Sequence, residues 1–393
     1  MTVVVPLSSR VQSDLTPNRL AVAVRRLQAA GEPLIDLTES NPTRAGFDYH
    51  PDLLQTLADP RSLVYQPNSF GLPDARAAAA AEFARRDLEI SPACILLTSS
   101  TSEAYSLLFK LLCDAGDEVL VPRPSYPLFE HLTRLDAIVP VPYNLEYYGR
   151  WIMDVEGLAQ RISPKTRAVL AVNPNNPTGS FVTRDELDRL GSLCRRRSLA
   201  LIGDEVFADY GLSESTGTSV LQQRDALAFS LGGLSKSAGL PQMKLGWIGI
   251  GGPTGQVAAA LRHLDVIADT YLSVATPVQW AAAGLIQAGA GVRRQIQERL
   301  ATNLGVLSAM VDEHPSCRLL RAEAGWYAVV QVPAIRSEES LVLDLLERDR
   351  VLVHPGYFFD FLSEAFVVVS LLPRPATFAS GIRLMLRRAE AAA

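Results

Sequence analysis

Residues 232–247 read Gly-Gly-Leu-Ser-Lys-Ser-Ala-Gly-Leu-Pro-Gln-Met-Lys-Leu-Gly-Trp, or GGLSKSAGLPQMKLGW. Lys236 stands between two serines, behind the apolar run 226–231 and ahead of a second one at 247–250. A single lysine is ordinarily a solvated surface group. One set among small residues at the end of a strand-like run is instead a candidate for burial, where an ammonium is costly. Desolvation lowers its pKa and leaves a neutral amine able to form a Schiff base. Further apolar runs precede it at 94–98, 118–121, 168–172 and 199–202. Between several of them apolar residues recur at i, i+3 and i+4, as in 102–113, where Leu107, Leu108, Leu111 and Leu112 share a face, and in 183–197. Wholly apolar strands interleaved with helices predict an α/β fold with a mostly parallel sheet covered by helices on both faces.

Working outward, residues 49–290 read as one large α/β domain. After about 291 the texture changes to a long helical pattern (292–314), AEAGWYAVVQVP, a helix over 338–349, VLVHPGYFFDF, FVVVSLL and a last helix. This is a smaller α+β unit, and residues 1–48, too few for a domain, are expected to join residues 291–393 in it. The alanine run 78–81 sits in a helical pattern, and Arg195–Arg197 fall where a helix should end and cations complement its dipole. The stretch 249–254, GIGGPT, has the look of a dinucleotide fingerprint but lacks the third glycine and a clean strand-turn-helix setting, and is set aside.

The 393 residues carry a net charge of −5, so no basic excess exists to neutralise nucleic-acid phosphates. The balance of 48% hydrophobic to 20% charged residues is that of a folded chain rather than a disordered one. No run reaches the roughly 18–20 apolar residues that span a bilayer, and the opening MTVVVPLSSRVQSDL lacks the basic start of a signal peptide. Cysteines at 94, 113, 194 and 317 form no CxxC pair, and the five histidines never fall at metal-ligand spacing. Neither a metal site nor a disulfide framework is expected; reduced thiols in a cytoplasmic protein are.

The remaining polar signals fall just past other apolar runs. Asp204 ends LALIGD and, if buried, needs a cationic partner. Asn176 in NPNNPTG is placed to project an amide over the strand ends, although NPTG by itself is also a plain turn. Ser99–Ser102 lie at a strand-to-helix junction, a phosphate site if a ligand is present and a simple helix cap if not. Tyr126 can lay a ring against a flat ligand or pack in the core. A planar, phosphorylated ligand with an aldehyde and a ring cation, pyridoxal phosphate, answers each of these.

At this point the chain resembles the class I/II aminotransferases of the fold type I pyridoxal-phosphate superfamily over nearly its full length. The ordered series YQPNSFG (65–71), NNPTG, DEVFADY, SKSAGLPQMKLGW and HPGYFF carries the likeness. The resemblance implies an enzyme that moves an amino group between an amino acid and a 2-oxo acid. Lys236 would be the Schiff-base lysine and proton shuttle, and Asp204 the acid that keeps the pyridine nitrogen protonated. Asn176 would donate to the ring O3′ and Tyr126 would stack on the ring. Ser100, Thr101 and Ser102 match the phosphate loop, with Ser235 nearby and Lys244 at the position of a phosphate-binding arginine. Tyr65 matches a tyrosine that reaches the phosphate in a neighbouring subunit, which implies a homodimer with shared active sites.

Departures from the family pattern matter as much. Phe207 stands where many members have a tyrosine that bonds O3′; losing that donor should raise the imine pKa. Lys244 gives a point charge for a bidentate fork, and Gly233 occupies a frequent serine position. Val368 falls where an arginine usually forks onto the substrate carboxylate. Arg44 in ESNPTRAG is the substitute the sequence offers, with a plain surface cation as the equal alternative. Arg374 and Arg383 are weaker choices. Trp326 and Tyr357, with Tyr327 and Phe358, are read as walls for a bulky or apolar side chain. Two other readings share the motifs. A β-eliminating C–S lyase would use the same cofactor, but Phe207 replaces the histidine of its DEI-His-Asp stretch. A non-catalytic regulator is disfavoured because Lys236 and Asp204 are both present and no basic helix-turn-helix pattern precedes the cofactor domain.

Overall fold

The computed structural model describes residues 7–12, 14–213 and 217–391; the apolar start of the chain, read above against a signal peptide, lies largely outside them. Eight strands form the large sheet: β1 (Ile95–Thr98), β2 (Glu118–Arg123), β3 (Val139–Tyr147), β4 (Trp151–Met153), β5 (Thr166–Val172), β6 (Ala200–Asp204), β7 (Ala228–Gly233) and β8 (Gly246–Gly251). Their spatial order is β1-β8-β7-β6-β5-β2-β3-β4. All pairs are parallel except those made by β8 and the β3–β4 pair. The sheet is therefore mostly parallel, as the sequence predicts.

Both faces are buried. Ala168, Leu170 and Val172 of β5 face one apolar layer with Leu107, Leu108 and Leu264, while Val169 and Ala171 face the other with Leu187 and Leu190. This explains the strands' lack of polar alternation. The longer helices are α1 (Arg19–Ala29), α2 (Pro73–Ala84), α3 (Thr101–Leu112), α4 (Arg184–Arg197), α5 (Thr254–Tyr271), α6 (Thr276–Asp312), α7 (Glu338–Asp349) and α8 (Pro375–Glu390), with shorter ones at Leu128–Leu135, Val155–Gln160 and Leu234–Ser237. Helix α4 begins with a reciprocal capping box between Thr183 and Glu186 and ends on Arg195–Arg197, the expected dipole-complementing cations.

A second, antiparallel sheet holds β9 (Arg318–Leu319), β10 (Tyr327–Gln331), β11 (His354–Pro355) and β12 (Phe366–Ser370), in the order β9-β10-β12-β11. Ile35–Asp36 pairs in parallel with Val351–Leu352, which ties the segment before residue 48 to the C-terminal part of the chain. Residue 291, where the sequence texture changes, lies inside the continuous 37-residue helix α6.

The reading of 249–254 needs correction. A strand, a tight turn and a helix do follow one another here, since β8 ends at Gly251 and α5 starts at Thr254. The stretch is nonetheless remote from any ligand edge. Because β8 runs against its neighbours, its C-terminal end lies at the opposite edge of the sheet from the ends of β1, β2, β5, β6 and β7. Gly252 turns there with φ +120°, and a Cβ on it would stand 2.4 Å from the Ala226 carbonyl oxygen.

Candidate active site

Five parallel strands end on one edge, and each delivers a polar group: β1 leads to Thr101 and Ser102, β2 to Tyr126, β5 to Asn176, β6 to Asp204 and β7 to Lys236. Ligands of open α/β sheets bind outside the carboxyl ends of the strands. These six residues line a single cavity of about 180 Å³, together with Ser40, Tyr105, Leu128, Phe129, Leu132, Val172, Val206, Phe207 and Tyr327.

Lys236 opens onto this cavity but is shielded from bulk water, and burial pulls its pKa down to about 8 against the opposing pull of Asp204. Its ammonium lies 4.7 Å from the Trp326 ring centroid and 5.4 Å from that of Phe207. The backbone of its turn is held from three directions. Tyr210 donates its hydroxyl to the Lys236 carbonyl, Arg293 donates to the Ser237 carbonyl at 3.1 Å, and Tyr49 donates to the Gly239 carbonyl at 2.7 Å. Tyr210 is thus a support under the lysine and not a substitute for the hydroxyl missing at Phe207. Tyr210→Phe removes one of two donors to this carbonyl, which also accepts from the Gly239 N–H at 3.1 Å, and is expected to cost about 0.5–1.5 kcal/mol of stability, measurable by urea unfolding.

Asp204 is buried, and desolvation raises its pKa, only partly offset by its hydrogen bonds and by Lys236. The cationic contact expected for it is absent among the described residues. Its Oδ2 accepts from the Tyr105 hydroxyl at 2.8 Å and its Oδ1 from the Val206 N–H at 3.3 Å. Asn176 is buried too, with its Oδ1 unpartnered. A buried carboxylate lacking a cation and a buried amide oxygen lacking a donor, both on one cavity wall, suit a ligand with a protonated ring nitrogen and a ring hydroxyl. The hydroxyls of Thr101 and Ser102 open the 12-residue helix α3, where unpaired N–H groups and the dipole favour an anion. The residues present therefore fit pyridoxal phosphate.

Ser100, Ser235, Lys244, Tyr65, Arg44, Trp326 and Tyr357 lie outside the cavity lining. Ser100 caps α3, accepting from the Glu103 N–H at 3.1 Å. Ser235 is half-buried, while Lys244 and Arg44 are exposed. Tyr65 is exposed and sits in a separate cleft with Tyr271 and Ser273. Trp326 is fully buried beneath Lys236, and Tyr357 points outward. Gly233 has a steric reason: a Cβ there would meet Gly246 Cα and the Leu245 carbonyl oxygen at 2.9 Å each. The sequence reading passed over Tyr105 and Ser40. For Tyr105 a signal existed, since it follows Thr101 by four residues and so shares its helical face.

Among the described residues no cluster of metal-ligating side chains occurs, and no helix is long and apolar enough to cross a membrane. Residues 32–373 match the family described as aminotransferase class I and II. The chain is 28% identical to an alanine aminotransferase of Mycobacterium tuberculosis strain H37Rv, over 91% of this chain and 86% of that one. It is 26% identical to the glutamate-pyruvate aminotransferase AlaA of Escherichia coli K12, over 89% of each. Among solved structures, an alanine aminotransferase from Pyrococcus furiosus superimposes with a TM-score of 0.86 at 24% identity, over 97% of this chain and 99% of that one. These relatives do not favour the C–S lyase alternative.

Proposed function

Because the chain belongs to the class I and II aminotransferase family, we propose that Lys236, Asp204 and Asn176 form its reaction centre and that alanine is an amino donor. The enzyme is a pyridoxal-phosphate-dependent aminotransferase. The observation that carries the site assignment is the meeting of Lys236, Asp204, Asn176, Thr101 and Ser102 in one cavity.

When bound, pyridoxal phosphate supplies an electrophilic carbon and a ring that accepts an electron pair. The protein's own groups do the rest. Asp204, lacking a cation of its own, would keep a ring nitrogen protonated. Asn176 would bond a polar ring substituent through its amide, and Thr101 and Ser102 with the start of α3 would hold the anionic end. Lys236 Nζ would be the group that holds the aldehyde end and, as a free amine, the base that takes up the substrate Cα proton and passes it on. A pKa near 8 leaves about a tenth of this amine neutral at pH 7, against under a thousandth at its ordinary 10.5, and the neutral form is what removes a proton.

Alanine is favoured as donor by the relatives' names and by the walls, since Leu128, Phe129, Leu132, Val206 and Phe207 are apolar. A homodimer is favoured by the exposed stretch Leu63 (90%), Val64 (58%) and Tyr65 (70%), apolar surface unusual on a free face. The four cysteines are all free, which suits the cytoplasm. Mixing cofactor-loaded protein with L-alanine and no 2-oxo acid is expected to release one pyruvate per active site and no ammonia. Ammonia released with pyruvate in repeated turnovers would contradict amino transfer.

A further inference from the structure

The cavity's polar groups divide into two sets. Thr101, Ser102, Tyr105, Tyr126, Asn176, Asp204 and Lys236 come from the edge of the large sheet, and the reading above assigns them to the cofactor or to its immediate support. Two remain, Ser40 and Tyr327, and both enter from the other side.

Backbone register brings these two together. Tyr327 of β10 lies opposite Ser370 of β12. Ser370 in turn donates its N–H to the Leu37 carbonyl at 2.7 Å and its hydroxyl to the Glu39 carbonyl at 2.6 Å, the hydroxyl also accepting from the Leu372 N–H at 3.2 Å. The chain at 37–39 is thereby strapped along β12, and Ser40 emerges beside the Tyr327 hydroxyl. Burial raises the Tyr327 pKa to about 12, with the adjacent Ser40 working against the rise, so both groups stay neutral donors throughout the physiological range.

Val368, at the position where the family resemblance leads one to expect a guanidinium, sits two residues before Ser370 on the same face of β12, fully buried opposite Val329. The nearby arginines are engaged elsewhere or face outward. Arg299 donates to the carbonyls of Ala45 (3.3 Å) and Leu372 (3.0 Å), Arg374 lies against Gly46, and Arg44 is exposed. Lys236 is the only cation among the described lining residues.

We infer that the Tyr327 and Ser40 hydroxyls form the anchor for the substrate α-carboxylate, a neutral pair in place of a guanidinium fork. This rests on the aminotransferase reading of the same cavity. A carboxylate so held is positioned by two hydroxyl donors and gains no full countercharge, so binding depends on hydrogen-bond geometry more than on ionic strength.

The test is steady-state kinetics of the cofactor-loaded enzyme with L-alanine, alongside competitive inhibition by propionate, a carboxylate without an amine. Tyr327→Phe is expected to raise both the alanine KM and the propionate inhibition constant roughly 10–100-fold, the effect of losing one hydrogen bond to a charged group. Its kcat should stay within a few-fold, and the visible absorbance of the bound cofactor should be unchanged. Ser40→Ala, which removes only a hydroxyl from a partly exposed loop, should shift both constants in the same direction by less, and it carries the test if the tyrosine variant fails to fold. Arg44→Ala should shift neither. If both hydroxyl variants retain wild-type constants, or Arg44→Ala raises both tenfold, the anchor is overturned while the aminotransferase reading stands. A wild-type enzyme that forms no pyruvate from alanine would overturn the donor assignment underneath, and the alanine anchor with it.

Discussion

Lys236→Ala is expected to lower turnover roughly 10⁴-fold or more, because one amine serves as covalent anchor and as proton carrier and no second base stands beside it. Among the described residues lining the cavity, the other ionisable groups are Asp204, Tyr105, Tyr126 and Tyr327. Burial raises the pKa of each of the three tyrosines, which makes them poor bases at neutral pH. Added small amines should restore part of the lost activity if proton transfer is the missing step, and the visible cofactor band should be absent or shifted. Full activity in the alanine variant would exclude the assigned role.

The same burial has a thermodynamic consequence for the cofactor-free protein. The fold holds Lys236 near pKa 8, below its ordinary 10.5, so the unfolded chain binds the proton more tightly than the native one. Stability then rises with pH between about 8 and 10.5 as far as this residue is concerned. Below 8 the fold bears the full cost, on the order of 3 kcal/mol at most. Lys236→Met, an uncharged near-isostere, should therefore unfold at higher urea than the wild type at pH 7, with the difference shrinking as pH approaches 10.5. Equal stability at both pH values would show that the ammonium is well solvated.

Asp204→Asn is the second large effect. The carboxylate is buried without a cationic contact, and the ring nitrogen it would face supplies one. An amide keeps the shape and removes the charge. Breaking a buried charge pair costs about 3–5 kcal/mol, which corresponds to roughly 10²–10⁴-fold in rate where the charge is needed in the transition state. Turnover should fall by that factor and cofactor release should quicken. Tyr105→Phe, which removes only a neutral donor to the same carboxylate, should cost far less. A loss in Tyr105→Phe equal to that in Asp204→Asn would mean that geometry rather than charge is what Asp204 provides.

How much of this was legible in the sequence follows from where each residue sits. Lys236, Asp204 and Asn176 each stand at or just beyond an apolar run, and a parallel sheet gathers such positions onto one edge, so strand order along the chain was enough to expect them in one cavity. Tyr105 carried a signal in its four-residue spacing from Thr101, but an aromatic on the apolar face of a helix also looks like core, and its hydroxyl aimed at Asp204 is what decides between the two. Ser40 and Tyr327 depend on a contact between segments nearly 290 residues apart, made through Ser370, which no local pattern encodes. The direction of β8 was equally unreadable from its composition: the chain from β7 returns through a one-turn helix, Leu234–Ser237, and not through a long crossover, so GIGGPT ends up at the wrong edge. The uninterrupted helix α6 was missed at its start because Ala- and Gly-rich residues 281–291 carry little amphipathic signal even though the helix continues through them.

Borohydride reduction of the cofactor-loaded protein, followed by peptide mass spectrometry, tests the central claim most directly. The account predicts a reduced pyridoxyl phosphate adduct on the peptide containing Lys236, and its disappearance when the protein is first treated with excess L-alanine. An adduct on another lysine, or one on Lys236 that persists unchanged after alanine, would contradict it.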